Sequence, residues 1–329
     1  MVSSLSPKLF MKDPLDKAEY APKRFRAFID LVRPFTLLAP ALGGISGSLM
    51  ALLVQNELSR PFISLRWPFL HIPGLPMLTI ISGVTSLVFL NAASNTLNQV
   101  YDRDIDIINK SYRPIPTGVV TPKEGIWLSV LLYGIALWRA AMVNRYFLLM
   151  ASILILFTIA YSVPPFRLKK RLWLSNISVA IPRGMLGIVA AWTITGDIYD
   201  PIPWLIGSVI AVFLVGSTTT KDITDIPGDD LFGMRTLPVY YGKKKAIALS
   251  SPFFVFPFVM MVVYAYLGLL PRYSLYMAFI FLIWSSLVIY LLYKEGDKED
   301  EHFENSPAWK QMYLMLMGMQ IGFLTLFLI

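Results

Sequence analysis

The chain has 329 residues, of which 56% are hydrophobic and 15% charged, with a formal net charge of +8. Soluble domains sit near 45–50% apolar and about 25% charged, so the composition describes an integral membrane protein. With no cysteine and only His71 and His302, thiolate chemistry, disulfides, iron–sulfur clusters, structural zinc and multi-histidine metal sites are excluded. The basic residues fall between apolar runs and form no basic domain, which argues against a nucleic-acid partner.

Residues 1–27 carry Lys8, Lys12, Lys17, Lys23, Arg24 and Arg26 without an apolar core, and read as a cytoplasmic tail rather than a targeting signal. Bilayer-crossing helices need roughly 17–25 apolar residues. Nine such stretches follow, at 28–54, 77–100, 125–144, 146–163, 172–195, 202–220, 246–270, 273–293 and 309–329. The loop at 54–76, with Trp67 and His71, reads as an interfacial cap, and Glu295 to Glu304 as a solvated linker. With the N-terminus inside, the inner segments hold 22 Lys and Arg and the outer side five, as the positive-inside rule requires. This predicts a multi-pass protein of the cell membrane whose long polar loops share the cytoplasmic face.

An internal repeat is visible. Asp102, Asp106, Arg113, Pro116 and Gly118 recur as Asp225, Asp229, Arg235, Pro238 and Gly242 at offsets of 123, 123, 122, 122 and 124. The fold expected is therefore an all-α bundle of two parallel four-helix repeats, 28–163 and 172–293, plus one extra helix at 309–329. Together these form a single transmembrane domain over 28–329.

Asn91, Asn95, Asn98, Asp102 and Asp106 are spaced 4, 3, 4 and 4 and share one helical face. Thr218, Asp222, Asp225 and Asp229 repeat the pattern at the end of the sixth stretch. Two facing acidic clusters repel unless a cation lies between them. Oxygen ligand sets select hard cations, and Mg2+ binds through carboxylates together with substrate phosphates. The residues thus point to an Mg2+-bridged diphosphate; solvated carboxylates paired with local Lys and Arg are the alternative for a single motif, and far less so for two in register. Lys110, Arg113, Arg167, Lys169 and Lys170 follow the helix ends, where they can hold a phosphate or serve topology alone. Two arginines lie within helices. Arg33 falls about 8 Å into the first and Arg183 about 16 Å into the fifth, at 1.5 Å per residue. A cation at that depth is a functional or pairing candidate.

The runs Asn98-x3-Asp102-x3-Asp106, Asn109-Lys110-x2-Arg113-Pro114-Ile115-Pro116-x-Gly118, Tyr161-Ser162-x-Pro164-Pro165-x-Arg167-Leu168-Lys169 and Lys221-Asp222-x2-Asp225-x3-Asp229-x3-Gly233 resemble the intramembrane aromatic prenyltransferases of the UbiA superfamily. The resemblance extends from Arg33-Pro34-Phe35-Thr36 to the last helix. It implies Mg2+-dependent transfer of an isoprenoid chain from an allylic diphosphate to a lipophilic acceptor in a nine-helix bundle. By that resemblance Asn98, Asp102, Asp106, Asp225 and Asp229 hold Mg2+ and the diphosphate. Asp222, Asp225 or the diphosphate itself takes the acceptor's proton, and Arg33, Asn95, Tyr161, Ser162 and Arg183 face substrate. Asp222 matches the chlorophyll-synthase branch, which commonly lacks a carboxylate matching Asp225, so a tetrapyrrole acceptor fits less well. A hydroxyaromatic acid or quinone precursor is the acceptor expected. A glycerol-phosphate ether lipid, a tetrapyrrole or a membrane terpene cyclisation are the alternatives, and a cation or drug transporter is the reading from another class. Oligomeric state is left open by the residues.

Overall fold

A computed structural model describes residues 17–55, 65–67, 70–72, 76–296 and 306–329. The expected tail up to residue 16, most of the outer loop and most of the Glu295–Glu304 linker lie outside them. Helix α1 (Lys17–Val32) already begins within the stretch expected to be a tail, and packs Ala27 and Leu31 against Ile115 and Val120. The chain then breaks at Arg33, whose φ of 56° is left-handed, before a short 3-10 turn (Pro34–Leu37) and α2 (Leu38–Val54). Pro34 causes the break, because its ring disfavours α geometry in the residue before it. Arg33 is therefore not a mid-helix cation but the hinge residue of a broken helix, which corrects the depth argument.

Strands Leu65–Trp67 and Leu70–Ile72 pair antiparallel, a small hairpin in an otherwise helical fold. Helix α3 (Pro76–Tyr101) leads into α4 (Arg103–Asn109), and α5 (Pro122–Ala141) and α6 (Arg145–Ser162) complete the first half. Thr121 and Glu124 form a capping box at the start of α5, and Asn144 caps α6 by accepting from Phe147 N–H at 2.8 Å, satisfying donors that helix starts leave open.

After a 3-10 turn (Leu168–Lys170), α7 (Leu172–Ala180) widens into a π turn (Ile181–Leu186) and returns to α form as α8 (Gly187–Trp192). Pro182 cannot donate to the α ladder, and such π turns recur at functional sites. Gly184 there meets the Ala211 backbone so closely that a Cβ would lie 2.5 Å from Ala211 Cα. Helix α9 (Pro201–Ser217) runs on as α10 (Thr219–Leu231); α11 (Leu237–Tyr241), α12 (Lys243–Ser250), α13 (Phe256–Tyr266), α14 (Ser274–Gly296) and α15 (Pro307–Leu326) finish the chain.

Among the described residues seven helical segments are long and apolar enough to cross a membrane: 23–54, 77–101, 145–162, 172–192, 201–231, 243–266 and 274–296. Helices α5 and α15, 20 residues each, pack within the same bundle. Two apolar cores divide it. One joins α3, α5, α6 and α8 around Phe147 and Ala136; the other joins α9, α13, α14 and α15 around Phe213, Phe258 and Phe323. Helices α2 and α8 contribute to both, and the main cavity lies along this seam.

Candidate active site

The amide stripe of α3 divides its labour. Asn91 donates to Thr36 O at 3.2 Å, Asn95 donates to Val32 O at 3.0 Å and Thr36 Oγ1 at 2.8 Å, and Gln99 donates to Leu31 O at 2.6 Å. Asn95 and Gln99 satisfy carbonyls left open where α1 ends, Asn91 bonds the 3-10 turn that follows, and together the three amides hold the Arg33 turn in place. Asn98 instead accepts from Ser162 Oγ at 3.2 Å and Lys169 Nζ at 3.3 Å.

The carboxylates meet in a polar cleft lined by Asp102, Asp106, Asp222, Asp225 and Asp229, with Lys110, Arg113, Lys169 and Lys221 interleaved. Asp102 pairs with Lys169, and with Arg167 at 3.6 Å. Asp106 accepts from Arg113 Nη1 at 2.8 Å. Asp225, from the second acidic run, pairs with Lys110 from the first, and with Lys221 one turn earlier at 3.3 Å. Asp106, Lys110, Arg113, Lys169, Asp225 and Asp229 are each 3–8% exposed, so water cannot balance these charges and the partners must. Burial disfavours the Asp102 carboxylate, yet Lys169, Lys221 and Arg167 together outweigh it and hold its pKa below the usual range. At Asp106 burial wins over Arg113 and Lys110, and its pKa is raised.

Asn109 ties the halves together. Its Nδ2 donates to Asp225 O at 2.8 Å and its Oδ1 accepts from Gly228 N–H at 2.8 Å. Gly228 is required by this approach, since a Cβ would lie 2.7 Å from the amide. A second tie joins the loops beyond α6 and α10: Arg235 N–H donates to Lys170 O at 3.1 Å, and Leu172 N–H to Arg235 O at 2.6 Å.

Above the cleft lies a cavity of about 250 Å³, lined by Arg33, Asn95, Asn98, Tyr161 and Arg183 among others. Lys110, Tyr161, Ser175, Lys221 and Asp222 border both spaces, so cleft and cavity meet there. Arg183 is exposed on the cavity wall, and no hydrogen bond or ion pair from the described residues engages it. Ser162 is buried and acts through Asn98, while Lys170 lines neither space and contributes its backbone. The expectation from sequence is a cation between the acidic runs, with Mg2+ as the candidate; lysines already stand between them, and among the described residues no three carboxylates converge at metal-binding range. Lys221, given no role of its own from sequence, lies four residues before Asp225, the spacing at which two side chains share a helical face.

Residues 62–314 match the UbiA prenyltransferase family. The chain belongs to that family. This UbiA protein is similar to the digeranylgeranylglyceryl phosphate synthase of Thermococcus kodakarensis, with 30% identity over 233 residues, 70% of this chain and 74% of the relative. The same enzyme of Pyrococcus horikoshii is 32% identical over 231 residues, covering 69% and 73%. Among solved structures, a UbiA homologue from Archaeoglobus fulgidus bound to DMAPP and Mg2+ superposes with a TM-score of 0.64 at 17% identity, covering 91% of this chain and 99% of that one. A UbiA homologue from Aeropyrum pernix K1 gives 0.65 at 19% identity, covering 90% and 97%. At these identities the structural likeness is one of fold. The chain is thus a multi-pass membrane prenyltransferase of the UbiA family.

Proposed function

We propose that this prenyltransferase moves a geranylgeranyl chain from its allylic diphosphate to the free hydroxyl of a glycerol-phosphate ether lipid. The observation that carries the reading is Arg183, an unpaired cation exposed on the wall of an apolar cavity that opens onto the acidic cleft. A phosphate on the acceptor gives it a partner. The digeranylgeranylglyceryl phosphate synthases among the relatives support the same acceptor, and they rank it above the hydroxyaromatic or quinone precursor expected from sequence. In this reading nine helices, α5 and α15 included, form one domain of two parallel repeats and an extra helix, with the N-terminus and the cleft on the cytoplasmic side.

The cleft fits Mg2+. Its acidic donors are all oxygens, Asp222 Oδ2 is buried without a hydrogen bond, and no lysine or arginine among the described residues ion-pairs with Asp222 or Asp229. Asn98, Asp102, Asp106, Asp225 and Asp229 would hold it. Bound there, Mg2+ offsets the charge of the diphosphate and stabilises it as a leaving group.

The chain's own residues do the rest. Lys110, Lys169 and Arg113 turn from carboxylates to phosphate oxygens, with Arg167 adding charge at the rim. The C1–O bond breaks with its electron pair leaving on the diphosphate. The acceptor oxygen bonds to C1, and its proton passes to Asp222, which borders both spaces. Tyr161 sits at the same junction, and the apolar walls keep water from the allylic cation.

Purified protein with radiolabelled geranylgeranyl diphosphate and a panel of acceptors, with Mg2+ or EDTA, tests this. An Mg2+-dependent product on the ether lipid alone is expected. A product on a hydroxyaromatic acid instead moves the acceptor; diphosphate release with a cyclised hydrocarbon makes the enzyme a cyclase; no consumption at any chain length refutes the reading.

A further inference from the structure

The cavity has a floor. On α15, Trp309, Met312, Tyr313, Leu316 and Gln320 line one face, and on α3 the lining runs from Asn98 back to Leu87. Trp309 to Gln320 and Asn98 to Leu87 each span eleven residues, about 16 Å of helix at 1.5 Å per residue. Two helices running in opposite senses therefore give the same depth. At the far end Gly43 faces the Gln320 amide and Gly44 faces Val84 and Leu87, which fixes these residues at one level.

Gln320 is out of character there. It is 6% exposed, Leu316 lines the same wall one turn earlier, and its own Oε1 accepts no hydrogen bond. Leaving a buried amide oxygen unsatisfied is destabilising, and a leucine or methionine would avoid the cost. Gly43 is what accommodates it, because any Cβ at that position would lie 2.7 Å from Gln320 Nε2.

We infer that the Gly43–Gln320 pair is the floor against which the prenyl tail ends, and that it sets the longest chain the enzyme accepts. An apolar tail gains by every buried methylene down to Leu87 and Leu316. The next contact is the Gln320 amide, whose Oε1 has no hydrogen-bond partner, so further length brings no gain. The inference rests on the proposed transfer, with the allylic diphosphate at the cleft end and its tail along the cavity. It predicts opposite shifts for two substitutions. Gln320→Ala removes the floor, whereas Gly43→Ala displaces the flexible amide into the cavity and raises it.

The test compares wild type, Q320A and G43A with geranyl, farnesyl, geranylgeranyl and geranylfarnesyl diphosphates, Mg2+ and the ether-lipid acceptor. The readout is the ratio of kcat/KM between chain lengths, which does not depend on the fraction of protein that folds. Consumption of allylic diphosphate is followed beside the product. About a tenfold shift toward geranylfarnesyl in Q320A, and a comparable shift toward farnesyl in G43A, is expected for a change of this size in an apolar pocket. Unchanged ratios in both variants, or shifts in the same direction, overturn the floor. If wild type consumes diphosphate without modifying the ether lipid, the acceptor reading fails, while the ratios of consumption still test the floor.

Discussion

Lys110 and Asp225 offer a sharp test, because the pair is buried and joins the two acidic runs. Replacing Lys110 with Met keeps most of the stem volume and removes the charge. Breaking a buried pair by removing one partner costs about 3–5 kcal/mol, since it leaves an uncompensated charge. Here Lys221 remains 3.3 Å from Asp225, and its side chain is 37% exposed, so a screened second counterion stays. We expect a net loss of about 1–3 kcal/mol, the range for a charge-bearing hydrogen bond left half satisfied. Asp225→Asn alone strands Lys110 and should cost a similar amount. The double variant strands neither, and its loss should fall well short of the sum, with a coupling of roughly 1–3 kcal/mol. Thermal unfolding of the four proteins in one detergent, in EDTA to keep divalent ions out, reads the cycle. Additive losses would refute the pairing and with it the view that lysines balance the cleft from within.

Other expectations follow the same geometry. Asp229→Asn should abolish turnover with little change in melting temperature, because no ion pair within the described residues depends on it; retained full activity would remove Asp229 from the metal set. Arg183→Leu should raise KM for the phosphate-bearing acceptor and leave KM for geranylgeranyl diphosphate unchanged; an equal rise in both would place Arg183 at the diphosphate. Thr121→Ala should destabilise by about 1 kcal/mol, the worth of an N-cap, with kcat intact, since Thr121 only caps α5 and bonds Glu124; a lost kcat would tie α5 to the chemistry. Chelation should stop turnover and added Mg2+ restore it, and turnover that survives EDTA would refute a metal-dependent cleft.

Much of the site was legible because it obeys simple periods. The spacings of 4, 3 and 4 placed Asn98, Asp102, Asp222, Asp225 and Asp229 on facing stripes, and all of them border the cleft or the cavity above it. What the residues did not reveal depends on contacts distant in sequence. Asn95 reads as a substrate ligand, yet its amide is spent on Val32 and Thr36, a partner 59–63 residues away. Hydropathy blended α1 and α2 into one span, since Arg33-Pro34 interrupts the helix without lowering the apolar content around it. Lys110 and Lys169 read as phosphate ligands, but their pairing with Asp225 and Asp102 did not show, because a basic loop residue already has a topological explanation. Gln320 stood in a long apolar run where one amide carries no periodic signal, and only its packing against Gly43 sets it apart.

The interleaved cations bear on how such a protein is made. Five carboxylates share the cleft with four basic residues, so the resting site is close to electroneutral by its own means. Small metalloproteins whose ligands repel one another fold only when the ion arrives. The paired cations of this cleft remove that barrier, so the geometry lets the two halves dock before any metal or diphosphate binds. Assembly and catalysis are thereby uncoupled, and a ribosome-bound chain need not wait for its substrate to complete its bundle.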